Sequence, residues 1–256
     1  MKNYGYIADV PNEKDYIFGS SLPFAQLVGE EGWQEYLPER EFQNLNGIEP
    51  YACVSYTVLN AVETLIKRKY GISTDWSDRF LASISGTIEG GNSPRKVCDS
   101  LRKNGVVFQE VWPFNQNIDS FEKFYEEIPQ RIKDIAKEFT DEWDFKYEIV
   151  PSTPEMISLA LKCSPLLISV PAWFERDGKY YRPEGMTDNH ATSLFYQREG
   201  DFRRIFDSYD QPCIKDIEWN VIPTQVVRFS IEKRITSPKK NWVMDLYDRL
   251  LEFITG

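Results

Sequence analysis

The stretch 47–71, GIEPYACVSYTVLNAVETLIKRKYG, decides how the rest of this chain is read. Gly47 and Pro50 supply turn chemistry, and Val54, Val58, Leu59, Val62, Leu65 and Ile66 then recur at spacings of three and four. That period gives a helix with an apolar face. Lys67, Arg68 and Lys69 fill the last turn, where cations suit the negative end of the helix dipole, and Gly71 is a natural stop. Cys53 stands in the first turn. Unpaired amides and the positive dipole end predict a lowered thiol pKa there. Most buried cysteines are simply small core residues. The reading therefore turns on what else the chain supplies.

A chain of 256 residues can bury one large core or two tightly joined lobes. Its 41% hydrophobic and 14% aromatic content marks it as globular rather than disordered. A formal charge of -10 argues against a general nucleic-acid binder, which needs a basic face. Cys53, Cys98, Cys163 and Cys213 lie far apart with no CxxC pair, which points away from a zinc site or a disulfide framework and toward a reducing compartment. The opening MKNYGYIADVPNEKDYIFG lacks the basic-then-apolar pattern of a signal peptide, and no apolar run is long enough to span a membrane. A cytoplasmic protein is expected. The number that stands out is the histidine count, which is one.

Residues 1–46 read as a loop-like, aromatic-rich segment punctuated by Pro11, Gly19, Pro23, Gly29, Gly32 and Pro38, and wrapped around the rest. Within 47–142 the pattern is helical. A helix covers 53–70, a short one lies within 76–84, and Ser93-Pro94 caps another that ends at Asn104-Gly105. Val106–Val111 reads as extended, and 120–139 as two short peripheral helices split at Pro129. Residues 143–235 change character. Strand patterns at 143–150, 166–170, 189–196, 203–207 and 225–231 are interrupted by one helix starting at Thr153-Pro154. A last helix over 236–256 carries an apolar stripe from Trp242 to Ile254, whose acidic neighbours favour docking over membrane attachment. Helices first and strands second predict an α+β architecture in two packed parts.

A nucleophilic cysteine needs a base within hydrogen-bond reach and a third group to fix the base's tautomer. The lone His190 begins an apolar strand, Ala191–Phe195, after a polar turn. Asp207 ends the next strand, and an antiparallel pair turning at 197–201 would bring the two together.

These residues carry a resemblance. The chain is similar to papain-like cysteine peptidases, and more closely to the bacterial and phage-type branch without a long propeptide. YGYIADVPNEKDY at 4–16 resembles that branch's opening, and PYACVSYTVLNAVE at 50–63 its nucleophile helix. GNSPRKVCDSLRKNGVVFQEVWPF at 91–114 and TPEMISLALKCSPLLISVPA at 153–172 resemble its next phrases. NHATSLFYQ at 189–197 and RIFDSYD at 204–210 resemble its histidine and third-residue strands. Six phrases stand in the family's order.

The resemblance implies a papain-like two-lobed fold, with a helical N-terminal lobe, an antiparallel β-rich C-terminal lobe and an added C-terminal helix. It implies a thiol peptidase without cofactor or metal, acting on an extended polypeptide through an acyl-enzyme. Cys53 would be the nucleophile, His190 the proton carrier and Asp207 the group that orients it. The protein would sit in the cytoplasm, or in a host cell or virion if phage-encoded. The chain also departs from the family. Asp207 stands where Asn is usual, Tyr209 replaces a shielding Trp, and Asp210 replaces a Gly. The Gln expected six residues before the cysteine is Gly47, so the oxyanion donor would be Gln43, if the intervening loop bulges out, or Asn46. Two other readings stay open: a non-catalytic papain-like binding module and a thiol amidase or acyltransferase. With no long propeptide expected, restraint of activity would fall to residues 1–22 lying across the cleft, to the Tyr51 neighbourhood or to a partner.

Overall fold

Helix α1 (Cys53–Tyr70) is the element against which the others pack. Val54, Val58, Leu59, Val62, Leu65 and Ile66 are each at most 1% exposed, and each such burial stabilises by roughly 1.5–3 kcal/mol. Its enclosure goes further than the sequence pattern implies: residues 53–66 are all buried, polar ones included. Gly71 ends the helix in the left-handed conformation, its N–H on the Lys67 carbonyl. The computed structural model describes residues 3–209 and 212–234. The helix expected over 236–256 and the Asp210 position lie outside the described residues.

Two further helices begin where side-chain caps replace missing backbone acceptors. Ser77 accepts the Phe80 N–H at the head of α2 (Asp78–Ile84), and Ser93 accepts the Lys96 N–H at the head of α3 (Pro94–Asn104), with Pro94 in the first turn. Helices α4 (Phe121–Phe124) and α5 (Gln130–Glu142) follow. Helix α5 is less peripheral than its charge suggests, because Ile132, Ala136 and Phe139 are buried and it packs on α3.

The strands come second: β1 (Trp143–Ile149), then α6 (Pro154–Leu161), β2 (Leu166–Val170), β3 (Glu175–Arg176), β4 (Lys179–Tyr180), β5 (His190–Arg198), β6 (Phe202–Phe206), β7 (Ile214–Glu218) and β8 (Val226–Lys233). They form one sheet in the order β1-β8-β2-β5-β6-β7-β4-β3, antiparallel except where β4 meets β7. The α+β class expected from the sequence is what is found. Two differences stand out. Val106–Val111 contributes only a single bridge, Phe108 to Trp76, and β3, β4 and β7 were not anticipated. One apolar cluster runs from α1 through β2, β5 and β8, so α1 and the sheet share a core.

Candidate active site

The β5–β6 pairing sets the geometry. Ser193 pairs with Phe206, so the ladder continues to put Asp207 beside Thr192, on the face that His190 shares two residues away. The side chains meet there: His190 Nε2 lies 2.7 Å from Asp207 Oδ1, with both side chains 0% exposed. A third residue joins from β7. Lys215 Nζ lies 2.6 Å from Asp207 Oδ2, its side chain 4% exposed, and sits 4.8 Å from the centre of the Trp173 ring. Burial works against ionising Asp207. The His190 ring and the Lys215 ammonium overcome it and hold the carboxyl below its ordinary value.

Cys53, fully buried, faces this group from the head of α1. The backbone N–H groups of Ala191, next to His190, and of Val54 face its sulfur. His190 Nδ1, on the ring edge away from Asp207, is buried and has no hydrogen-bond partner among the described residues. The expected lowering of the thiol pKa is not found. Burial pushes the Cys53 thiol up, and the Asp207 and Glu49 carboxylates add to this, against the two amides. The helix terminus is outweighed because the sulfur is fully buried.

The segment ahead of α1 loops out. A short 3-10 turn at Leu45–Gly47 takes up the extra residues, and Gln43 comes back to the head of the helix. Its Oε1 accepts the Ala52 N–H at 3.1 Å, its Nε2 donates to Ser208 Oγ at 2.6 Å, and its own N–H bonds the Ser208 carbonyl at 2.8 Å. Asn46 goes elsewhere: it is exposed and donates to the Asn115 and Ile118 carbonyls. Tyr51 takes a positive φ of 56° just before the helix, an uncommon conformation for a bulky residue and a local strain.

A strap made by the N-terminal residues covers the site. The Tyr4 ring centre lies 5.8 Å from that of His190 and 5.2 Å from that of Tyr209, and Tyr209 and Trp173 each lie 5.2 Å from His190. The strap backbone is bonded on both sides. Tyr4 N–H donates to the Asn189 carbonyl, Asn92 N–H to the Gly5 carbonyl, and Ile7 N–H to the Asn92 carbonyl, all at 3.0 Å. Glycine is required at this approach: a Cβ on Gly91 would lie 2.0 Å from the Gly5 oxygen, and one on Gly5 would lie 2.3 Å from the Tyr51 oxygen. Tyr6 reaches Gln225 Oε1 at 3.0 Å. Beside the roof a cavity of about 430 Å³ is lined by Tyr4, Glu49, Trp173, Tyr180, Tyr209 and Lys215.

Cys53, His190, Asp207 and Gln43 thus lie in one neighbourhood, and Asn46 does not. The sequence reading missed Lys215. Its one signal was phase: in Ile214-Lys215-Asp216-Ile217, alternation puts Lys215 on the same buried face as Ile217. A second acidic group is made by half-buried Glu41 with buried Asp78 and Glu63. Glu41 and Asp78 hydrogen-bond to each other, Glu41 accepts from Gln109 Nε2 at 2.8 Å, and Glu63 accepts the Trp76 N–H at 2.7 Å. Burial raises all three carboxyls, Glu41 to about 7.

No family model matches the sequence, and no curated protein does. Solved structures do match. The bromelain protease of Ananas comosus, in complex with the E64 inhibitor, is 17% identical with a TM-score of 0.60, over 80% of this chain and 100% of that one. Digestive procathepsin L 3 of Tenebrio molitor larval midgut is 13% identical with a TM-score of 0.56, over 84% and 73%. A structure from work on antibody cross-reactivity between the mite allergens Blo t 1 and Der p 1 is 13% identical with a TM-score of 0.58, over 84% and 74%. At these identities the likeness is one of fold. The chain has the α+β fold of papain-like cysteine proteases.

Proposed function

We propose that the protein is a thiol peptidase that hydrolyses an extended polypeptide through an acyl-enzyme. Cys53 Sγ attacks the scissile carbonyl carbon, His190 takes the thiol proton at Nδ1 and passes it to the leaving amine, and water then releases the acyl group with His190 as base. Asp207 holds the imidazole by Nε2, and Gln43 with the amides at the head of α1 supplies donors to the oxyanion. The observation that carries this reading is the buried Nε2–Asp207 bond at 2.7 Å, which leaves Nδ1 unpartnered beside the residue whose amide faces the Cys53 sulfur. The strap from Asn3 to Asp9 is the restraint: it shields Cys53 until it lifts. Cleavage of a peptide library by the wild type, and its loss in Cys53→Ala, tests the proposal.

A second reading has its own support. The thiol is fully buried and its pKa raised, and the Gln43 amide is already engaged by Ser208. These favour a non-catalytic module that keeps the fold and binds peptides. Strap variants that expose Cys53 to alkylation yet cleave nothing would select it.

A further inference from the structure

Asp207 stands where the resembled family carries a neutral amide, and an unanswered carboxylate there would be costly in a water-free site. The chain answers it with Lys215, 2.6 Å from the oxygen that His190 does not use. The ammonium is held there: it is 4% exposed, packed on the Trp173 ring, and among the described residues its one ion pair is with that carboxylate. We propose that Lys215 is a positioning residue of the site: it cancels the charge of Asp207, so that the pair presents His190 with a fixed acceptor of no net charge.

The consequence falls on the imidazole. Without Lys215, the buried Asp207 charge has one other group among the described residues to draw on as a cation, and that is His190 in its protonated form. Groups on every neighbouring element bear on this balance. Cys53 faces the site from α1, Tyr4 from the strap and Tyr209 from the turn after β6, with Glu49 accepting the Tyr209 hydroxyl at 2.6 Å. Asp188, two residues ahead of His190, is already paired with Arg182 at 2.6 Å. Lys215 thus takes up a carboxylate charge that would otherwise fall on the imidazole alone, which matters for a group proposed to act first as base and then as acid.

The test uses the lone histidine, which gives a single imidazole in the NMR spectrum of the full-length protein. In Lys215→Met its titration moves upward by about 1 pH unit or more, the size of effect a charge at this range produces. Lys215→Arg keeps the wild-type titration, and Asp207→Asn/Lys215→Met, which removes both charges, returns to it. If Lys215→Met does not fold, the double variant still folds, while Asp207→Asn alone, with the ammonium stranded, is impaired. An unmoved titration in Lys215→Met overturns the inference, as does a double variant as damaged as Lys215→Met, since Lys215 would then matter only as packing. The inference rests on His190 as the proton carrier, but the titration needs no turnover. A shifted titration with no peptide cleavage in any variant would retire the peptidase reading and leave the charge balance standing. Cleavage with an unmoved titration would do the reverse.

Discussion

Two acidic groups lie beside α1, one at its head and one farther along it, and their carboxyls are shifted in opposite directions. On the sheet side Asp207 lies between the His190 ring and the Lys215 ammonium and is held ionised. On the loop side Glu41, Asp78 and Glu63 meet with no ion pair among the described residues, and burial pushes their carboxyls up toward the protonated form. Burial is common to both, so the partners decide: a cation preserves charge, and another carboxyl replaces it with a proton. The charged group stands where proton transfer is proposed. The group with raised carboxyls includes Glu41, two residues from Gln43.

The largest expected effect breaks the charged side. Asp207→Ala strands the buried Lys215 ammonium and costs about 3–5 kcal/mol of stability, measured by urea denaturation. Next comes the loop side: Gln43→Ala lowers kcat/KM on a cleaved peptide by roughly 100- to 1000-fold if its amide serves the oxyanion. The two groups then separate by pH. Glu41 has a raised carboxyl, so its contribution is present below the ordinary glutamate value and lost as pH rises toward about 7. Asp207 has a lowered one, so its contribution is present above the ordinary aspartate value and lost as pH falls below it. Glu41→Gln should flatten the fall in stability between the ordinary glutamate value and about pH 7 by up to about 1.4 kcal/mol per pH unit, leaving the acid fall in place. The smallest effect is at the roof. Tyr4→Ala removes two ring contacts worth about 1 kcal/mol each, and Cys53 alkylation rises by up to roughly thirtyfold.

The legible parts of the molecule were those whose causes are local. The 3.6-residue period of α1, the Ser-Pro and Thr-Pro helix starts and the apolar runs of β2 and β5 each carry their own signal, and the structure has them at those places. What stayed hidden depends on distant partners. Lys215 looks like a solvated strand lysine until Asp207 is beside it. Glu41 and Asp78 are far apart in sequence, and nothing in either neighbourhood announces a shared proton. Strands β3 and β4 are two residues each, too short for any period. The thiol illustrates the same limit. A helix terminus is visible in sequence, whereas the full burial that raises the thiol and reverses the expected shift is not.

The central claim is that the head of α1, the lone imidazole and its carboxylate work as one thiol centre beneath a removable strap. Its most direct measurement is the rate of iodoacetamide modification of Cys53 against Cys98 and Cys163 at mildly acidic pH, with Tyr4→Ala to loosen the strap and His190→Ala as control. The account predicts that Cys53 in Tyr4→Ala outpaces the other two cysteines and that His190→Ala abolishes the advantage. Equal rates at all three cysteines with the strap loosened would contradict it.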